Sequence, residues 1–314
     1  MKFPRAATAL LLFSTAPVPV LSQTTTPLRI VTFNIRYAAT TLSTNEKPWT
    51  SSTCASSPTT CRKPHVITHL SQLSTNTTST TTTLIGLQEV LDGQLTDIKT
   101  GLGSAWAHIG VGRDDGVKKG EYSPILYRTD VLGVVFNETK WLSPTPDKVS
   151  FGWGAGSRRV VTIGVFESKS TGKRFIHANT HLDNASGEAR TEGVKVVLAR
   201  IQAVQKTWGP LGVVLTGDFN SARGAEAHKV VTESGYMEEL FDLATAEGKV
   251  RGANRVTFTG FKAGNAGTFI DFIWVGPKAD KWFTLQGYEI MDNVAQGVYF
   301  SNHRAVVGDA TLVA

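Results

Sequence analysis

Short apolar segments separated by turn-forming residues dominate the chain from about residue 28 onward. These segments are rich in Val, Ile, Phe and Thr and are bounded by Gly, Pro, Asn or Asp, a pattern typical of β-strands. The segments predicted to be strands are 28–35, 84–88, 107–112, 123–127, 131–136, 160–167, 174–179, 212–216, 268–275, 284–290 and 305–312.

Helical periodicity is clearest in residues 188–207, where Gly209 and Pro210 end the pattern. Shorter helices are predicted over 65–73 and 225–233. Many short strands with few helices predict two packed sheets flanked by helices in one α+β domain. The apolar face of the long helix comprises Val194, Val197, Leu198, Ile201 and Val204.

The N-terminal segment has the pattern of a secretory signal peptide. Two basic residues precede an apolar run, 6–13, which is too short to span a bilayer, and Val20 and Ser22 fit a cleavage site. We therefore predict a signal peptide over 1–22, a single domain over 23–314, and a secreted, monomeric protein with no membrane span.

The cysteines and glycosylation sequons agree with secretion. Cys54 and Cys61 are the only two cysteines, and in an oxidising compartment a pair this close predicts a local disulfide bond. A zinc site is the alternative, but no second Cys or His pair stands at zinc spacing. Sequons at Asn76, Asn137 and Asn184 predict a glycoprotein.

The amino-acid composition excludes several classes of protein. With 314 residues, 41% hydrophobic and 18% charged, the chain is neither collagen-like, nor a coiled coil, nor mostly disordered. Its net charge of +6 is compatible with an anionic partner and equally with a charge that only maintains solubility. The chain has no Walker-type loop, no Gly-x-Ser-x-Gly elbow and no dinucleotide fingerprint, which disfavours a serine hydrolase and a nucleotide-dependent oxidoreductase.

Polar side chains stand at the ends of several predicted strands. Asn34 and Glu89 each follow an apolar strand, and either one taken alone is more typical of a strand cap. His181 and Asp183 project to the same side of an extended segment, because side chains alternate along a strand. Asp218 and Asn220 in the turn Gly-Asp-Phe-Asn are related in the same way, although such a turn is equally typical of an Asx turn.

Asp271 is a single acid within an otherwise apolar strand. A buried carboxylate is costly unless it is paired, so Asp271 requires a partner. His303, which precedes the last predicted strand, is the obvious candidate. A structural role for both residues is the plainer interpretation, but it leaves the buried acid unexplained.

Carboxylate and amide oxygens with two histidines form a recognisable chemical set. Oxygen-rich ligands select Mg²⁺, Mn²⁺ or Ca²⁺ rather than zinc. A cation of this kind neutralises a phosphate and promotes attack by water, while an aspartate-oriented histidine handles a proton. The set therefore predicts hydrolysis of a phosphate ester.

Seven short motifs follow one another along the chain: TFNIRY, LQE, EYSPILYR, NTHLD, GDFN, IDFIWV and SNHRAVV. Together they resemble the endonuclease/exonuclease/phosphatase superfamily of deoxyribonuclease-like metal phosphoesterases, and they look closest to a secreted or bacterial branch of it. The resemblance covers residues 28–313. It implies an α+β fold, a four-layer α/β/β/α sandwich with two central, mostly antiparallel sheets and the site at one edge.

The resemblance also implies catalytic roles. Asp218 and Asn220 would position the attacking water and the phosphate, and His181 would contact the scissile phosphate. Asp271 and His303 would form the carboxylate–imidazole pair.

The divalent cation, Mg²⁺ or Mn²⁺, would be bound by Asn34 and Glu89, with Asn302 beside it. Superfamily members usually carry Asp-His where this chain has Asn302-His303. The asparagine keeps an oxygen and removes a charge, which weakens a cation site but leaves the core set. We expect activity to survive. The alternative is a binding protein on the same scaffold, catalytically weak.

The substrate stays open between a phosphodiester and a phosphomonoester: nucleic acid, phospholipid or a small phosphoester. Tyr127 and Arg128 match the superfamily's segment beside the site, and Arg113 and Asp114 are candidate substrate contacts. An apolar hairpin at 141–153 would suit a lipid substrate. A basic, aromatic groove would suit a nuclease. Its candidates, equally interpretable as scattered surface residues, are Trp49, Arg62, Lys63, Lys118, Lys119, Trp153, Arg158 and Arg159.

Overall fold

The computed structural model describes Met1, residues 25–75 and residues 81–313. Apart from Met1, the predicted signal peptide lies outside the described residues, as does the sequon residue Asn76. Within them, the α-helices are α1 (Lys63–Thr75), α2 (Asp92–Leu102), α3 (Gly187–Trp208), α4 (Glu226–Glu233) and α5 (Leu240–Ala246). No helix in the described ranges is long and apolar enough to cross a membrane.

The strands are β1 (Thr26–Asn34), β2 (Thr82–Gln88), β3 (Trp106–Ile109), β4 (Ile125–Arg128), β5 (Leu132–Trp141), β6 (Val160–Ser168), β7 (Arg174–His181), β8 (Gly212–Asp218), β9 (Glu238–Glu239), β10 (Val250–Arg251), β11 (Asp271–Gly276), β12 (Phe283–Ile290), β13 (Val294–Ala295), β14 (Val298–Tyr299) and β15 (Val306–Leu312). Single 3₁₀ turns occur at Pro58–Thr60 and Lys278–Asp280.

Two large sheets form the centre of the molecule. The first has seven strands in the order β10-β12-β15-β1-β2-β4-β3, and the second has six in the order β5-β6-β7-β8-β11-β9. Most neighbouring strands are antiparallel, while β1 and β2 are parallel in the first sheet and β7 and β8 in the second. In both sheets, therefore, two adjacent parallel strands end at the same edge.

Three apolar layers hold four structural layers together. Helices α1 and α2 pack on the outer face of the seven-stranded sheet, where Leu70 and Ile98 meet Phe33. Helices α3 and α4 cover the six-stranded sheet, and the predicted apolar face of α3 is buried there. Between the sheets lies a third core that includes Ile30 and Val214. The predicted four-layer sandwich with two mostly antiparallel sheets is confirmed.

The sequence pattern missed two helices, α2 and α5. Both are short, and fewer than half of their residues are buried. The structure joins Cys54 to Cys61 by a disulfide bond, as predicted. Of the remaining sequons, Asn137 and Asn184 are both exposed, and their glycosylation stays a prediction.

Candidate active site

A cavity of about 470 Å³ opens where the parallel strands of both sheets end. Side chains alternate along a strand, so β8 directs Val214 into the core between the sheets and Asp218 toward the cavity. By the same alternation, β1 brings Asn34 and β7 brings His181 to this edge. The fold therefore brings together strand-end residues that are up to 184 positions apart in the sequence.

Asn34 joins the two sheets at the cavity floor. Its side-chain nitrogen donates to Oε1 of Glu89 at 3.0 Å and to Oδ2 of Asp218 at 2.9 Å, while its oxygen accepts from the backbone N–H of Arg36 at 2.9 Å. The amide thus holds two carboxylates together. To bind a cation through its oxygen, Asn34 would have to turn its amide over.

Glu89 adopts a left-handed backbone conformation with φ of 59°. This conformation is costly for a residue with a side chain, and such strain concentrates at functional sites. The carboxylate accepts from the backbone N–H of Tyr37 at 3.1 Å. The turn directs Glu89 toward Asp218 instead of continuing the strand.

Asp271 and His303 form the predicted pair. Oδ2 of Asp271 lies 2.8 Å from Nδ1 of His303, and the two residues are 0% and 3% exposed. Burial by itself would lower the pKa of His303, but the carboxylates of Asp271 and Asp218 outweigh it and raise that pKa to about 9. The imidazole is therefore protonated at neutral pH, with Nε2 3.6 Å from Asp218.

His181 has the opposite electrostatic environment. Burial, together with the guanidinium of Arg159, lowers its pKa to about 3, so the ring is neutral. Arg159 donates to Nδ1 at 3.0 Å. Because that nitrogen accepts, the proton of the neutral ring lies on Nε2, which is 3.5 Å from Asp218. The side-chain nitrogen of Asn220 lies 3.0 Å from Nε2 and is itself a donor, so Asn220 would have to turn its amide over to accept from Nε2.

Asp218 faces both histidines and is 1% exposed. Burial and the nearby charge of Asp271 raise its pKa above the usual aspartate value. Its other oxygen accepts from the backbone N–H of Asn220 at 2.8 Å, at a residue whose φ of 46° is again left-handed. A carboxylate of raised pKa between two imidazoles is suited to accept a proton.

Arg159 and Glu121 were not predicted as site residues. Glu121 accepts two hydrogen bonds from Arg113, at 2.8 and 3.0 Å, and lies 3.9 Å from Arg159. Arg159 had been assigned only to a possible basic groove, because an arginine beside a glycine-rich turn has no distinguishing sequence signal. Arg113, a predicted substrate contact, does line the cavity, and Asp114 lies beside it, 3.5 Å from Arg158.

The residues present fit a divalent cation. Two groups of possible ligands occur among the described residues, one formed by Glu89, His181 and Asp218 and the other by Asp218, Asp271 and His303. Oδ1 of Asp271 is buried and has no hydrogen-bond partner in the described part of the chain. Converging buried carboxylates repel one another, and a hard cation relieves that repulsion.

Two predicted substrate contacts lie outside the cavity. The ring of Tyr127 packs edge-on against Phe166, with centroids 5.4 Å apart, in the core between the sheets. Arg128 pairs with Asp130 on an exposed turn. The match to the family's motif placed both residues near the site, but strand β4 directs them elsewhere. Asn302, the third predicted cation neighbour, does line the cavity.

Among the residues considered for a basic, aromatic groove, Arg62 is buried and cannot contact a substrate. Arg62 is 0% exposed, and its guanidinium donates to the carbonyls of Lys47, Ile35, Phe300, Arg36 and Tyr37. In the 141–153 hairpin, the indole of Trp141 is buried and donates to a backbone carbonyl at 2.8 Å. Phe151 of that hairpin is 54% exposed.

The family model for the Endonuclease/Exonuclease/phosphatase family matches residues 31–303. The chain belongs to this family. The matched range contains all the residues that line the cavity, from Arg36 to His303. No curated protein sequence matches the chain.

Solved structures of the Endonuclease/Exonuclease/phosphatase family are similar over nearly their whole length. A family member from Bacteroides vulgatus is 31% identical, with a TM-score of 0.75, covering 91% of this chain and 99% of that one. A mannosyl-6-phosphatase from Bacteroides thetaiotaomicron is 29% identical, with a TM-score of 0.75 and coverage of 90% and 99%. The human Nocturnin catalytic domain, 16% identical with a TM-score of 0.62 and coverage of 95% and 99%, shares the fold.

Proposed function

We propose that this protein is a secreted, Mg²⁺- or Mn²⁺-dependent phosphoesterase that hydrolyses a small phosphomonoester, with a sugar phosphate as the leading substrate class. The observation that carries the proposal is the buried Asp271–His303 pair, 2.8 Å apart, whose imidazole lines the same cavity as Glu89 and Asp218. A structural domain has no need of a protonated imidazole beside converging carboxylates.

Each residue has a chemical task in this proposal. Glu89 would hold the cation, with Asn34 and Asn302 as further candidate ligands. When bound, the cation neutralises the phosphate charge and favours deprotonation of the attacking water. Asp218, whose pKa is raised, accepts the proton of that water. His303, protonated at neutral pH, donates a hydrogen bond or a proton to the ester.

Neutral His181 and the amide of Asn220 complete the phosphate site. Since Nε2 of His181 carries the proton, it donates a hydrogen bond without adding charge. Arg159 keeps Nδ1 as an acceptor at 3.0 Å and thereby fixes this tautomer. His181 and His303 consequently serve different functions despite their similar chemistry.

The charges around the cavity favour a small substrate over a nucleic acid. A nuclease groove requires cations free to contact successive phosphates. Here Arg36 pairs with Glu46 at 3.0 Å, and Arg113 pairs with Glu121 at 2.8 Å. Arg159 faces carboxylates in the same way. The mannosyl-6-phosphatase among the similar structures supports a sugar phosphate.

Secretion as a monomeric glycoprotein is also part of the proposal. It is supported by the N-terminal sequence pattern, by the Cys54–Cys61 disulfide and by the exposure of Asn137 and Asn184. Asn184 accepts a hydrogen bond from Arg159 at 2.8 Å, so a glycan there would stand at the rim of the cavity. Intact mass before and after enzymatic deglycosylation tests occupancy.

A substrate panel tests the proposed function. The purified mature protein is assayed with Mg²⁺ or Mn²⁺ for phosphate release from mannose 6-phosphate and glycerol phosphate. On an aryl phosphodiester, DNA, RNA and sphingomyelin, the released phenol, the shortened strands and the released phosphocholine are measured instead, because hydrolysis of a diester yields a monoester and not free phosphate. We expect the sugar phosphate to be hydrolysed with the highest kcat/KM. Preferential hydrolysis of a diester would contradict the substrate class, and no hydrolysis of any ester would favour the alternative, a catalytically weak binding protein.

A further inference from the structure

Along several strands, the side chains that face the space between the two sheets change from apolar to polar toward the cavity. On β8, apolar Val214 is followed on the same face by Thr216 and then by Asp218. The same order of apolar, uncharged polar and site residues occurs on β1, at Ile30, Thr32 and Asn34. On β7 it comprises Phe175, His177, Asn179 and His181. A layer of uncharged polar side chains therefore lies between the apolar core and the cavity.

We call this layer the polar tier, and it comprises Thr32, Gln88, His177, Asn179 and Thr216. Every member is 0% exposed. Thr32 on β1, Asn179 on β7 and Thr216 on β8 each lie two positions before a site residue. Gln88 lies one position before Glu89. Polar groups at this depth are costly unless their hydrogen bonds are complete.

Asn179 is the centre of the polar tier and uses its full hydrogen-bonding capacity. Its oxygen accepts from Nε2 of Gln88 at 2.8 Å and from Oγ1 of Thr216 at 3.0 Å. Its nitrogen donates to the backbone carbonyls of Leu87 at 2.8 Å and Pro124 at 3.0 Å. A side-chain amide with four such bonds has one orientation only.

Three of these four bonds cross between the sheets. Asn179 belongs to the six-stranded sheet, whereas Gln88 and Leu87 belong to β2 of the other, and Pro124 precedes β4. Gly86, also on β2, permits the close approach: a Cβ there would lie 2.3 Å from Oγ1 of Thr216 and 2.6 Å from Oδ1 of Asn179. The tier thus holds the two sheets at a fixed spacing immediately beneath the cavity.

The residues at the cavity depend on that spacing, because their own contacts span the sheets. Asn34 on β1 reaches Asp218 on β8 at 2.9 Å. His303, which leads into β15, reaches Asp271 on β11 at 2.8 Å. A misplacement of about 1 Å costs on the order of 10²-fold in rate for a well-oriented site.

We infer that the polar tier is a positioning layer: Asn179 and Gln88 set the distance between the two halves of the active site without contacting the substrate. For its activity readout this inference rests on the proposed phosphoesterase function. Its binding and spectroscopic readouts do not, so the two can fail separately.

The test uses Gln88→Met, which keeps the side-chain length and removes the donor that crosses between the sheets. The matched control is Thr162→Val, because Thr162 is 0% exposed on β6 and its buried hydroxyl has no hydrogen-bond partner among the described residues. Thr216→Val and Thr216→Ser form a second pair, in which only serine keeps the hydroxyl bonded to Asn179. This pair decides the question if Gln88→Met does not fold.

Three quantities are measured in each folded variant. We expect kcat on the best ester of the substrate panel to fall roughly 10- to 100-fold in Gln88→Met, the range for residues that support metal ligands, with KM within about twofold. Affinity for Mn²⁺, from electron paramagnetic resonance titration, should fall by about the same order. The downfield proton NMR signal of His303 Nδ1 should shift. Thr216→Val should lower kcat and Mn²⁺ affinity in the same way, and Thr216→Ser should retain most of both.

The inference is overturned if Gln88→Met, or Thr216→Val in its place, matches Thr162→Val in Mn²⁺ affinity and in the His303 signal. A lowered melting temperature with those two unchanged would also overturn it, since the tier would then stabilise the fold alone. Absence of hydrolysis by the wild type would count against the proposed function. Mn²⁺ affinity and the His303 signal would still test the positioning layer.

Discussion

The Asp271→Asn substitution is the sharpest perturbation of the proton-handling pair. It keeps the shape of the side chain and removes the charge 2.8 Å from Nδ1 of His303. The rise of the His303 pKa from 6.5 to about 9 corresponds to roughly 3 kcal/mol of preference for the protonated ring. Among the groups that raise the pKa of His303, Asp271 has the largest effect. Without Asp271, burial is opposed only by Asp218 and Glu89, and we expect the pKa of His303 to fall.

The expected loss in rate is roughly 10²- to 10⁴-fold, the usual range for a general acid or base. The profile of kcat against pH should also change shape. The wild type keeps His303 protonated to a higher pH than the variant does, because Asp271 raises the pKa of the ring. The assay is phosphate release from the best ester of the panel between pH 5 and pH 10, together with NMR titration of the imidazole.

A double-mutant cycle provides the refutation. Asp271→Asn, His303→Ala and the double variant should have similar rates, because the two side chains act as one unit. Asp309→Asn is the control, since Asp309 also accepts a charged hydrogen bond, 2.7 Å from Arg29, on a strand outside the cavity. Losses that simply multiply in the double variant would show that Asp271 and His303 are not coupled.

Three further predictions concern the cation, stability and the disulfide. Asn302→Asp restores a carboxylate beside Glu89 and should tighten Mn²⁺ binding severalfold by paramagnetic titration; weaker binding would place Asn302 away from the cation. In metal-free protein, the folded-state pKa of His303 exceeds its unfolded value, so its stabilisation is complete below pH 6.5 and is lost as pH rises through about 9. Denaturant titration should show a decline of roughly 3 kcal/mol over that window, absent in His303→Asn. Mass spectrometry of unreduced native protein should show Cys54 bonded to Cys61, and two alkylatable thiols would contradict this.

The sequence indicated polar residues at strand ends because alternation within a strand is a local property. From spacing alone, His181 could be assigned to the same side as Asp183, and Asp218 to the same side as Asn220. Asp271 was informative for an energetic reason, since an acid in an apolar strand needs a partner. The motif order then identified the family, which spacing could not do.

What the sequence could not predict depends on tertiary packing. Glu121 and Arg159 lie on separate segments, and only the folded chain brings them within 3.9 Å of each other. Tyr127 matched a family motif, but the pairing of β4 with β2 and β3 turns its ring into the core. Gln88 and Asn179 are adjacent in space and 91 residues apart in sequence, so the polar tier is visible only between assembled sheets.

The most direct test of the central claim is phosphate release from the best ester of the panel by wild type and Glu89→Gln, with the cation removed and then restored. Glu89→Gln keeps the shape of the side chain and removes a carboxylate that lies 3.0 Å from the Asn34 amide. We predict that excess EDTA abolishes wild-type hydrolysis, that Mg²⁺ or Mn²⁺ restores it, and that the variant stays about 10³-fold slower at saturating cation. Full wild-type activity in EDTA, or an unimpaired variant, would contradict the account.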